Sequence, residues 1–173
     1  MLKIKRLSPV IGAEVSGANL ISPNDDEFKE LEQALSEYSV LFFRDQPRLS
    51  PKQQVAFATQ FGPLHSHPAA PVLEDDEAIF VIKTDANSKV ANGNGWHTDV
   101  SCDNEPPLVT MLQLHQLPET GGDTLFSSMY AAYETLSPKM KIFLADLDAS
   151  HESEHVYQGR YSDRGVEDKT EYP

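Results

Sequence analysis

A mainly β fold with flanking helices is the class this chain predicts, on three observations. Short apolar stretches rich in β-branched and aromatic residues recur between turn-forming residues. Segments of helical periodicity stand outside those stretches. Strands and helices do not alternate as regular strand–helix units, which favours antiparallel pairing over a parallel sheet.

Leu2, Ile4 and the glycine-punctuated Ile11 to Leu20 stretch predict short strands. Residues Ser22 to Tyr38 predict a helix, because Phe28, Leu31 and Leu35 recur at helical spacing behind Ser22-Pro23 as cap and first-turn residues. Val40 to Phe43 then predicts a buried strand. Ser50-Pro51-Lys52-Gln53 has the form of a capping box opening a second helix, which ends at Phe61 with Gly62-Pro63 as the stop. Ala78 to Ile82 and Leu108 to Leu117 have strand character, and Gly121-Gly122 supplies permissive backbone for a turn into a strand at Thr124 to Phe126. The chain then predicts helix until Leu147, restarted at Ser137-Pro138, with Met140, Phe143, Leu144 and Leu147 as its inward stripe. Residues 161–173 are charged and poor in apolar side chains, which predicts a mobile end. No repeat or low-complexity linker divides the chain, so residues 1–173 read as a single domain.

Composition narrows the function. With 173 residues, 39% of them hydrophobic, the chain can bury a core, and no apolar run approaches the roughly 20 residues of a membrane span. The N-terminus has no charged start followed by an apolar stretch, so export is not expected. One cysteine, Cys102, makes no internal disulfide, which fits the reducing cytoplasm. A net charge of −13 argues against nucleic acid as a partner, since phosphate contacts need a basic face. An anionic small substrate stays compatible, because local arginines override the global field.

The chemistry centres on Trp96-His97-Thr98-Asp99. Two positions apart on extended backbone, His97 and Asp99 project from one face and can hold one metal ion. Imidazole and carboxylate fill two corners of the 2-His-1-carboxylate arrangement of non-haem Fe(II) oxygenases, with the third ligand supplied from elsewhere. A bare His-x-Asp is common by chance, and the competing readings are a buried histidine with a backbone partner and a turn-capping aspartate. A metal-binding imidazole also needs an acceptor for its other nitrogen, which the sequence does not reveal. His151-Glu152-Ser153-Glu154-His155 fits the pattern of a zinc metalloprotease, which works only on a helix. The polar residues around it give such a helix no packing face. His65 and His67 at alternate positions form a weaker candidate metal pair, and Cys102 is either a soft ligand or a bystander thiol.

Six motifs in order carry a resemblance. They are Ile11-Gly12-Ala13-Glu14-Val15-Ser16-Gly17, Phe43-Arg44-Asp45-Gln46, Phe61-Gly62-Pro63-Leu64-His65, Trp96-His97-Thr98-Asp99-Val100, Gly121-Gly122-Asp123-Thr124 and Ala132-Tyr133-Glu134-Thr135-Leu136-Ser137. Together they closely resemble the taurine dioxygenase (TauD/TfdA) family of Fe(II)- and 2-oxoglutarate-dependent oxygenases, as far as about residue 155. The resemblance implies a double-stranded β-helix, or jelly roll, with the metal at its open end. It implies His97 and Asp99 as Fe(II) ligands, Thr124 as a holder of the 2-oxoglutarate carboxylate, His67 against the substrate's anionic group and Val100 as an apolar pocket wall. The implied reaction hydroxylates a carbon of a small, anionic organic substrate, a sulfonate, sulfate ester or carboxylate, using O2 and 2-oxoglutarate. A sulfonate hydroxylated on the carbon bearing sulfur collapses to an aldehyde and sulfite.

Two positions depart from the taurine pattern, Ala70 for a tyrosine and Gly93 for an asparagine, both near the substrate amine in similar enzymes. The second histidine ligand and the arginine that pairs the distal carboxylate of 2-oxoglutarate fall later than Pro173 in the family, and neither Arg160 nor Arg164 matches that motif. These 173 residues therefore read as the N-terminal part of a dioxygenase domain whose C-terminal part is missing. The alternative is a catalytically incomplete fragment or scaffold, and a zinc metalloprotease through His151, Glu152 and His155 is a remote third reading. Strand edges left open in an incomplete jelly roll favour a homo-oligomer.

Overall fold

The structure, a computed structural model, describes residues 2–65, 78–85, 87–88, 93 and 95–154. It separates into two compact units, Met1–Leu49 with Gln113–Asp148 and Ser50–Leu112 with Ala149–Pro173.

In the first unit, β1 (Lys3–Arg6) and β2 (Ala13–Ser16) pair antiparallel with Ile4 opposite Val15. The loop between them closes where the Leu7 N–H donates to the Gly12 carbonyl at 2.9 Å. From β2 the chain passes through helix α1 (Asp25–Tyr38) to β3 (Leu41–Phe43), which lies parallel to β2 with Ala13 opposite Leu41. The antiparallel expectation holds for β1 with β2 and fails for β2 with β3. A 14-residue helix runs about 21 Å and carries the chain back to the end from which β2 began, so the next strand must point the same way. Arg44 Nε donates to Glu14 Oε2 at 3.0 Å and ties the residue after β3 to β2.

The core lies between this sheet and α1. Ala13 and Val15 of β2 and Leu31 and Ala34 of α1 are buried, joined by Leu2, Leu20 and Leu49. The stripe predicted for α1 holds, with Phe28 and Leu35 half-buried either side of Leu31. The start of α1 is Asp25 rather than Ser22, because Asn24 forms a capping box with Glu27, its side chain accepting from the Glu27 N–H at 3.0 Å. β3 is half-buried along its length, less than its apolar sequence predicts.

Strands were also expected at Ala78 to Ile82, Leu108 to Leu117 and Thr124 to Phe126. The described residues there join no sheet, and among the described residues helical ones outnumber those in strands. From Pro107 to Leu114, half-buried residues alternate with exposed ones, as along a strand. What is lacking is a ladder, since a strand exists only with a partner. Gln113 partly substitutes for one, its side-chain amide accepting from the Leu49 N–H at 2.7 Å and donating to the Leu49 carbonyl at 3.1 Å.

The late helices are α3 (Met129–Glu134) and α4 (Pro138–Leu144), capped by Ser128 and Ser137. Their expected inward stripe is a second correction, since Met140, Phe143, Leu144 and Leu147 are all exposed.

In the second unit, the Ser50–Gln53 capping box forms as predicted and opens α2 (Pro51–Ala58). A 3-10 turn, Thr59–Phe61, completes the segment to Gly62, with Phe57 and Phe61 edge to face at 5.6 Å. No described helix is long and apolar enough to cross a membrane. The expectation of a mobile 161–173 segment lies outside the described residues.

Candidate metal centre

His97 and Asp99 converge. His97 Nδ1 lies 2.8 Å from the Gly95 carbonyl oxygen, which can only accept, so Nδ1 carries the hydrogen. That bond sets the ring's orientation and turns Nε2 toward Asp99 Oδ1, 3.2 Å away. Nε2 and Oδ1 therefore form a two-donor edge of the kind a divalent ion spans, and Gly95 is the orienting acceptor a metal-bound imidazole requires. The side chains are 56% and 46% exposed, so their mutual attraction contributes at most about 1 kcal/mol to stability. Among the described residues no three His, Cys, Asp or Glu side chains form a metal cluster.

Asp99 uses its second oxygen elsewhere, Oδ2 accepting from the Thr110 hydroxyl at 2.7 Å. Sequence reasoning missed Thr110. Its one signal was a hydroxyl in an otherwise apolar run from Leu108 to Leu112.

Val100, the expected pocket wall, follows directly and is half-buried with φ of 49°. A β-branched residue in the left-handed region is strained by about 1–3 kcal/mol and persists only when its surroundings hold it. The restraints are visible. The Asp103 N–H donates to the Val100 carbonyl at 3.1 Å, closing a turn. His65 Nε2 and Asp103 Oδ2 pair at 2.6 Å with both side chains 22% exposed, and His151 Nδ1 meets Ser101 Oγ at 2.9 Å. The turn is thus gripped from two distant parts of the chain. Cys102 only donates weakly to Asp103 Oδ1 at 3.9 Å, the bystander reading.

Gly93 has φ of 77°, and a Cβ there would sit 3.8 Å from His97 Cε1. The position left bare by this sequence therefore adjoins the His97 imidazole. Thr124 belongs to the first unit and is exposed, following the left-handed pair Gly121 and Gly122. A Cβ on Gly122 would come within 3.1 Å of Pro118 Cγ, so only glycine fits this turn without displacement. Phe126, two residues on, packs edge to face on Phe42 of β3 at 6.0 Å.

His67, Ala70, Arg160, Arg164 and His155 lie outside the described residues. The helix a zinc metalloprotease needs is not found at His151, Glu152 and Ser153, which lie in no helix, and His151 is engaged with Ser101.

Against this geometry stand the comparisons with known proteins. The model of the taurine catabolism dioxygenase TauD, TfdA family matches residues 3–173. An alkylsulfatase of Acinetobacter baylyi is 38% identical over 159 residues, 91% of this chain and 49% of that protein. An alpha-ketoglutarate-dependent sulfate ester dioxygenase of Pseudomonas putida is 33% identical, covering 85% of this chain and 48% of that one. The crystal structure of a taurine dioxygenase from Burkholderia xenovorans superposes with a TM-score of 0.67 at 32% identity, over 84% of this chain and 51% of that chain. This chain spans about half the length of the relatives it matches.

Proposed function

Because this chain belongs to the taurine catabolism dioxygenase TauD, TfdA family, we propose that it is the Fe(II)-binding part of a 2-oxoglutarate-dependent dioxygenase, carrying two of the metal's protein ligands. The observation that carries this is the His97 Nε2 to Asp99 Oδ1 edge, with the imidazole locked on the Gly95 carbonyl. Residues 1–173 then correspond to the N-terminal part of one dioxygenase domain of the jelly-roll type. Bound Fe(II) would supply the coupling of O2 reduction and 2-oxoglutarate decarboxylation to hydroxylation of a substrate carbon.

The chain's own residues do the rest. His97 offers a neutral nitrogen and Asp99 a negative oxygen, a donor set that suits Fe(II). Thr124 donates its hydroxyl to a 2-oxoglutarate carboxylate, on a turn whose glycines allow close approach. Val100 walls the substrate pocket, and the family resemblance assigns His67 to the substrate's anionic group. That substrate is a small organic anion of the sulfate ester or sulfonate class without an amine, supported by the bare Gly93 beside the imidazole and by the names of the relatives. A cytoplasmic location and a homo-oligomer fit the same reading.

The test measures succinate release by the complete dioxygenase that contains residues 1–173, with Fe(II), 2-oxoglutarate and a panel of sulfate esters, sulfonates and carboxylates. Sulfate esters or amine-free sulfonates should exceed taurine, and His97→Ala should abolish the metal-dependent turnover, since one donor alone holds the ion too weakly. Taurine as the best substrate sinks the pocket assignment. Turnover unchanged in His97→Ala sinks the ligand assignment.

A further inference from the structure

We infer that Thr110 is a positioning residue for the metal, holding Asp99 as a one-oxygen ligand. The inference rests on the ligand reading above and adds a residue to it. Asp99 has two oxygens with separate engagements: Oδ1 faces His97 Nε2 at 3.2 Å, and Oδ2 accepts from Thr110 Oγ1 at 2.7 Å. A carboxylate only accepts, so the Thr110 hydroxyl spends its single hydrogen on Oδ2. One acceptor site of Oδ2 is thereby engaged and the carboxylate plane is set, with Oδ1 as the oxygen that faces His97 Nε2.

The contact is built rather than incidental. Thr110 lies eleven residues from Asp99, across the turn at Val100 to Asp103 and the Pro106-Pro107 pair. The alternation from Pro107 to Leu114 puts Thr110 on the face opposite Val109 and Met111. Being β-branched, threonine has few χ1 choices, so its hydroxyl position is set by the backbone. Both partners are exposed, and water competes for the bond. Its contribution to folding stability is accordingly small, and its effect falls on the orientation of the ligand.

Valine at 110 keeps the shape and removes the donor, whereas serine keeps the donor. The chain has one tryptophan, Trp96, adjacent to His97 and 72% exposed, so its fluorescence reports metal arriving at the pair. The experiment titrates Co(II), a slightly tighter-binding neighbour of Fe(II) in the divalent series, into the full chain and its Thr110→Val and Thr110→Ser variants. Thr110→Val should weaken binding about 10-fold, with Thr110→Ser within about 2-fold of the parent. The metal-free thermal midpoints of all three should coincide, a result that a merely structural role would not give. Parent-like binding by Thr110→Val overturns the inference and leaves the ligand assignment standing. Equal weakening by valine and serine also overturns it. Saturable quenching absent from the parent itself overturns both.

Discussion

The Leu2 to Phe43 region and the Trp96 to Leu112 segment are held in different ways. In the first, backbone ladders join three strands and α1 covers them, leaving Val15 and Leu31 at 1% exposure. In the second no ladder forms, and the shape is set by directional polar contacts: Gly95 to His97, Thr110 to Asp99, Asp103 to Val100 and to His65, Ser101 to His151. Its large apolar residues face outward, Leu108 at 80% and Leu112 at 55%. Burial stabilises the one; hydrogen-bond direction specifies the other. Segments of the second kind are cheap to deform and are where functional groups collect.

Three substitutions grade this contrast. Leu31→Ala should cost about 2–5 kcal/mol, the range for emptying a buried leucine site. A loss under about 1 kcal/mol in urea unfolding would show that the sheet and α1 do not share a core. Gly122→Ala comes next, at about 1–2 kcal/mol for a left-handed residue, with the contact to Pro118 as the physical obstacle; an unchanged thermal midpoint would refute the turn as drawn. Leu112→Gln should change stability by no more than about 0.5 kcal/mol, as at other exposed positions. A cost comparable to that of Leu31→Ala would mean that the second region is packed like the first.

What could be read in the sequence follows the same division. The stripe of α1 and the Ser50–Gln53 box were legible because spacing along a helix is local information. The cap of α1 is Asn24 rather than Ser22 because Asn24 has Glu27 three residues on to complete the box. The direction of β3 was not legible, since it depends on where the crossover delivers the chain. Strand character was expected at Leu108 to Leu117, but a ladder depends on a partner, which no local pattern contains, and the segment joins no sheet. At the site, the spacing of His97 and Asp99 brought them together as expected. Gly95 and Thr110 as their partners were invisible, being contacts rather than motifs. The left-handed backbone at Val100 runs against valine's preferences, so propensity pointed the wrong way.

The parallel pairing of β2 with β3 also orders events in time. Ala13 meets Leu41 across 28 residues, whereas Ile4 meets Val15 across 11. The hairpin can therefore close first as a short loop, and β3 can dock only once α1 has shortened the path between its ends. Side chains on the inner face of α1 then belong to the barrier as well as to the product. Truncating Leu31 should slow refolding in stopped-flow mixing as well as hasten unfolding, whereas truncating exposed residues of the Leu108 to Leu114 stretch should leave both limbs of the chevron in place.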